Sequence, residues 1–126
     1  MSMKNILLLY VLLLSGSVFA QWKPVAIDAT GDVYSLDYST VRKDGQIRKV
    51  WLLWNFAQIQ TSGSQSQRSR MEYDCKNERH RMTSSSTFTE KDAKGSEVNQ
   101  DINSTPWVDI APDTVALRLM KLVCKD

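Results

Sequence analysis

The chain has 126 residues, 42% of them apolar and 24% charged, with sixteen basic and fourteen acidic side chains for a formal charge of +2. That near balance excludes the strong positive field of a nucleic-acid or anionic-membrane binder. The length allows one modest core, because a chain of this size buries roughly two thirds of its extended surface. One histidine and two cysteines are too few soft ligands for a closed structural zinc site, so neither metal nor cofactor is expected.

Residues 1–20, MSMKNILLLYVLLLSGSVFA, carry one positive charge at Lys4, an apolar run from Ile6 to Leu14, and small residues leading to Val18 and Ala20. This is the pattern of a secretory signal peptide, with an apolar run too short to span a bilayer. Cleavage before Gln21 is expected, leaving residues 21–126 as a single exported domain with no transmembrane segment; an uncleaved leader would tether the same domain. No cysteine stands at the cleavage point, so no lipid anchor is expected. The leader takes away only Lys4, which brings the formal charge from +2 to +1.

Residues 22–27 read as a short strand, with Pro24 placing it at an edge or a strand start. A turn follows at 28–32, then an alternating strand at 33–37 that continues extended to Arg42. Lys43-Asp44-Gly45-Gln46 is a hairpin signal. The next run, residues 47–59, is the most apolar after the leader, and both of its faces are apolar in the middle. It is expected to be a central strand covered on both sides, or one whose facing is changed by a bulge.

TSGSQSQRS, residues 61–69, has the composition of a flexible loop. From Arg70 the chain alternates again, placing Met71, Tyr73 and Cys75 inward and Arg70, Glu72 and Asp74 toward water. Asn77 marks a turn, and residues 78–89 form the next strand, with Met82 or Phe88 as inward contacts. Residues 90–105 read as a turn between strand ends or a mobile projection; Asn103-Ser104-Thr105 matches a glycosylation acceptor. The final segment, residues 111–125, reads as a helix, with Pro112 and Asp113 in its first turn and Lys121 and Lys125 near its end. Val115, Leu117, Leu119, Met120, Leu122 and Val123 give it a broad apolar stripe suited to covering a sheet, with an amphipathic membrane helix as the alternative.

Cys75 and Cys124 are the only thiols, and both follow the leader. In an oxidising compartment such a pair most simply forms one disulfide, with a free or intermolecular thiol and metal ligation as alternatives. The bridge would pin the helix to the sheet. His80 lies five residues beyond Cys75, which on one extended strand sets the two on opposite faces about 17 Å apart, out of reach for a nucleophile and its base. Asp28, Asp32 and Asp37 have no spacing that links them to a base or a metal shell, so no catalytic residue is assigned and an enzyme is not expected.

Several features run in order through the chain: Trp22, Tyr34 to Asp37, Arg48 to Trp51, Met71-Glu-Tyr-Asp-Cys75, Arg79 to Met82, Trp107, Pro112 and Val123-Cys124-Lys125. In this order and spacing the chain resembles the surface-adhesin protein E family of Gram-negative bacteria. The resemblance implies an α+β fold, a small antiparallel β-sheet with a C-terminal α-helix packed on it and held by a disulfide. It also implies a protein-binding role, since adhesins of the family capture host extracellular-matrix proteins such as vitronectin and laminin through basic, extended surface segments. The comparable basic cluster here is Arg68, Arg70, Lys76, Arg79 and Arg81, which makes these the candidate protein-binding residues for an envelope or host partner at the periplasm or cell surface. No oligomeric state follows from the sequence. The alternative function is a periplasmic carrier or sensor of a small apolar ligand held between sheet and helix, with Trp51, Trp54 and Trp107 as its candidate lining.

Overall fold

The computed structural model describes residues 20–125, so all of the expected leader except Ala20 lies outside the described residues. In chain order the elements are β1 (Lys23–Ile27), β2 (Val33–Asp44), β3 (Ile47–Asn55), β4 (Ser66–Asp74), β5 (Arg79–Phe88), a single 3-10 turn (Lys91–Ala93), β6 (Glu97–Asp101), β7 (Val108–Asp109) and α1 (Val115–Val123). Among the described residues the strands form one antiparallel sheet in the order β1-β2-β3-β4-β5-β6, and β7 shares the outer edge of β5 with β6.

The hairpin signal holds, shifted by one residue. Asp44 pairs with Ile47, leaving Gly45-Gln46 as a two-residue loop in which Gly45 takes φ 59, a left-handed conformation that a side chain disfavours. β3 is the expected central strand, but it stops at Asn55, four residues before the apolar run ends, and Phe56 turns to set its ring edge-on to Trp54 at 4.9 Å. The segment expected to be a loop at 61–69 is only partly one. β4 begins at Ser66, because Gln67, Arg68 and Ser69 are paired on both sides, with β3 and β5. Residues 90–105 are likewise more ordered in backbone than their polarity suggested, since β6 ladders onto β5 with every residue exposed.

The two faces of the sheet differ. On one, Leu36, Val50, Leu52, Met71 and Tyr73 pack beneath Leu119, Met120 and Val123 of α1 to make the main core. Met82 joins this face, as expected. Phe88 is buried, but the register sets it on the opposite face with Arg68 and Leu53. Part of that second face is covered by residues 90–93: Asn55 and Asp92 exchange two hydrogen bonds of 2.9 Å, and Ser66 Oγ donates to the Glu90 carbonyl at 2.6 Å. β3 is therefore covered by a helix on one side and, at its Asn55 end, by a folded-back loop on the other.

α1 starts later than its composition indicated. Pro112 and Asp113 lie in a preceding turn, and Thr114 is the N-cap, its Oγ1 accepting from the Leu117 N–H at 3.2 Å. The Cys75–Cys124 disulfide joins the end of the helix to the chain just past β4, with the two Cα atoms 5.8 Å apart. At the other end of α1, Arg118 Nε donates to the Val25 carbonyl of β1 at 2.9 Å. The helix is thus fastened across the sheet covalently and by a side chain, and its apolar stripe is spent on the core rather than on a membrane.

Candidate functional site: an arginine and tryptophan face

Alternation along β4 and β5 sets Arg68 and Arg70 of β4 on the same face as Arg81 and Arg79 of β5, the face away from α1. The candidate basic residues thus fall on one surface, apart from Lys76, which is exposed in the turn at 75–78. That turn also corrects the geometry expected for Cys75 and His80. They do not share one strand, His80 pairs with Tyr73, and the Cys75 sulfur is committed to the bridge.

The arginines divide into two environments. Arg79 Nη2 lies 2.8 Å from Asp74 Oδ2, and Arg81 Nη2 lies 2.8 Å from Glu72 Oε1. The carboxylates expected to point to water are therefore buried, Asp74 to 1% and Glu72 to 8% exposure, because the arginines opposite them cover and neutralise them. Asp74 also accepts from Gln46 Nε2, Asn77 N and Asn77 Nδ2, which ties two hairpin turns together. The Arg79 hydrogen bond, followed by those from Asn77, holds its carboxyl well below the usual carboxylate range. Arg79 and Arg81 additionally lie 5.4 and 4.6 Å from the centre of the Trp107 ring.

Arg68 and Arg70 have no carboxylate partner among the described residues and stand against rings instead. The Arg68 guanidinium is 5.4 Å from the centre of the Trp51 ring and 5.3 Å from that of Phe88, and Arg70 is 5.9 Å from Trp51. Arg68 Nε is buried without a hydrogen-bond partner, whereas Arg70 is exposed. The arrangement offers two cations, set over aromatic rings, with no acid paired to them among the described residues. This suits directional pairing with carboxylates or backbone carbonyls.

The remaining candidates have local duties. Asp28 caps its own turn, accepting from Thr30 and Asp32 and from the Tyr34 hydroxyl, and the Thr30 bond leads in lowering its pKa. Asp32 accepts from Trp54 Nε1 at 2.8 Å, and Asp37 accepts from Ser39. No group of three or more His, Cys, Asp or Glu suited to a metal ion occurs among the described residues. Of the three tryptophans expected to line a ligand pocket, only Trp54 borders the space between sheet and α1; Trp51 and Trp107 serve the arginine face. The pairing of Glu72 and Asp74 with Arg81 and Arg79 was not foreseen, although acids and bases spaced symmetrically about the Asn77 turn carry the signal.

The fold has solved counterparts. The structure of crystal form II of Haemophilus influenzae protein E is 14% identical, with a TM-score of 0.64 over 86% of this chain and 90% of that one. Protein E from non-typeable Haemophilus influenzae is 13% identical, with a TM-score of 0.58 over 86% of this chain and 78% of that one. No curated protein matches the sequence. A model of the family described as surface-adhesin protein E matches residues 22–125, nearly the whole described chain, and the protein belongs to the surface-adhesin protein E family.

Proposed function

We propose that the protein is an exported, adhesin-like binding module of the bacterial envelope that engages an acidic stretch of an envelope or host extracellular-matrix protein through Arg68 and Arg70. The observation that carries this reading is the division of the arginines: Arg79 and Arg81 are spent on buried acids, while Arg68 and Arg70 stand over Trp51 with no acid paired to them among the described residues. Of the five basic residues singled out in the sequence, these two form the contact, while Lys76 stands apart in the turn at 75–78. Residues 1–20 act as a cleaved leader, so the working protein begins at Gln21, in the periplasm or at the cell surface.

The test uses the disulfide-bonded domain from Gln21 onward against immobilised vitronectin and laminin and against an envelope extract. The Arg68→Gln/Arg70→Gln double variant is expected to weaken capture at least about tenfold, with an unchanged circular dichroism spectrum. Unaltered binding in that variant removes the arginine face from the proposal. Intact mass of the exported protein checks the cleavage site independently.

A further inference from the structure

Asp37 of β2 is buried to 4% exposure, yet no cationic side chain is paired with it among the described residues. The other acids buried in the sheet, Glu72 and Asp74, each hold an arginine at 2.8 Å. Asp37 Oδ1 accepts instead from the Ser39 N–H at 3.1 Å and the Ser39 hydroxyl at 2.5 Å, both neutral donors. The cations of its neighbourhood are engaged elsewhere. Arg42 donates to the Ser39 and Val41 carbonyls, Lys23 stands over the Tyr38 ring, and Arg68 and Arg70 stand over Trp51, the β3 partner of Asp37. A buried carboxylate without a counter-charge is destabilising, and neutral hydrogen bonds offset only part of that.

The second oxygen, Oδ2, accepts from the backbone N–H of Gln21 at 3.1 Å. Gln21 is the residue before which the leader pattern places the cut. In the uncut chain its nitrogen is a neutral amide. Hydrolysis of the Ala20–Gln21 bond gives a carboxylate on Ala20 and an amine on Gln21, which at neutral pH takes a proton to become an α-ammonium, its ordinary pKa being about 7.7–8.0. Gln21 is exposed, so the two further N–H bonds of the ammonium can stay with water while the third keeps Asp37.

We propose that leader removal completes the fold: the new α-ammonium of Gln21 becomes the counter-charge of Asp37 and clamps the start of β1 to β2, so the uncut chain is the less stable form. This rests on the reading of residues 1–20 as a cleaved leader. The clamp falls on the strand that needs it, because β1 is the outermost strand, paired with β2 alone and irregular between Pro24 and Ala26. A charged donor makes the bond to a carboxylate roughly twice as strong as a neutral one. Glutamine at the terminus also provides a probe of the charge. When its amine attacks its own side-chain amide carbon and ammonia leaves, the resulting pyroglutamyl ring keeps one N–H but carries no charge.

The experiment compares three forms of the disulfide-bonded domain at about pH 6.5, where the α-amine is charged. One begins at free Gln21, one has Gln21 cyclised by glutaminyl cyclase, and one retains an acetylated Ala20, which keeps the Gln21 nitrogen as an amide. The free form is expected to melt about 5 °C above the other two, and the advantage is expected to disappear in Asp37→Asn. Should Asp37→Asn fail to fold, the comparison of free and cyclised Gln21 with Asp37 in place still decides. Equal melting of those two forms, or an advantage that persists in Asp37→Asn, overturns the ion pair and leaves the leader reading standing. Intact mass of the exported protein tests that reading separately: a mature terminus other than Gln21 overturns it and the proposal with it.

Discussion

Arg68 places its guanidinium 5.4 Å from the centre of the Trp51 ring, across the β3–β4 ladder and two residue pairs removed from direct register, since Trp51 itself faces Arg70. The cation is thus held by a diagonal neighbour, and the two residues are expected to be energetically coupled. A double-mutant cycle of Arg68→Ala and Trp51→Ala, read by urea denaturation, should return a coupling of about 0.5–2 kcal/mol. Strict additivity would mean that the contact contributes nothing to holding the arginine in place.

The carboxylate of Asp74 should govern acid stability. Its folded pKa lies below the ordinary unfolded value of about 3.9, so its contribution is fully present above that pH and is lost as pH falls through the folded value. Asp74→Ala is expected to cost about 2 kcal/mol at pH 7, discounted because the Arg79 side chain is 38% exposed, and to flatten the slope of unfolding free energy below about pH 4. Urea melts of both proteins between pH 7 and pH 2 check the two expectations together.

His80 should act in the other part of the pH range. Burial lowers its folded pKa below the ordinary histidine value of about 6.5, so the neutral ring stabilises the fold above about pH 6.5, and that contribution is lost as pH falls through the folded value. His80→Gln should remove the stability change in this window while leaving the Asp74 slope below about pH 4 intact. A histidine whose ring protons titrate by NMR at or above 6.5 in the folded protein would contradict the assignment.

Breaking the bridge should release the helix. Cys75 and Cys124 are 49 residues apart in sequence, for which the chain-entropy estimate is about 4 kcal/mol. Cys75→Ala/Cys124→Ala is expected to lose most of this and to expose the Leu36, Val50 and Met71 face, raising binding of a hydrophobic dye. Unchanged stability and dye binding would show that the helix is held by packing alone.

Much of the fold was legible because it rests on short-range rules. The Asp44-Gly45 turn signal, the alternation from Met71 to Cys75 and the apolar stripe from Val115 to Val123 each report a local periodicity, and each became the expected type of element. What could not be read depended on partners distant in sequence. Gln67 and Arg68 look like loop residues until β3 and β5 flank them, and Val98 and Gln100 join a strand only because β5 offers an open edge. The site was half legible for the same reason. Composition collected the arginines, but their separation into paired and unpaired sets required the register across the Asn77 turn.

Neighbours in the sheet are neighbours along the chain, from β1 through β6, so each ladder can zip onto the last through a short loop, a topology that favours rapid assembly. The exception is the return of α1, where Arg118 reaches a carbonyl 93 residues earlier. If this long-range closure forms after the folding barrier, weakening it should quicken unfolding far more than it slows refolding. The lifetime of the native state is then set by its last helix, while the speed of reaching it is set by the strands.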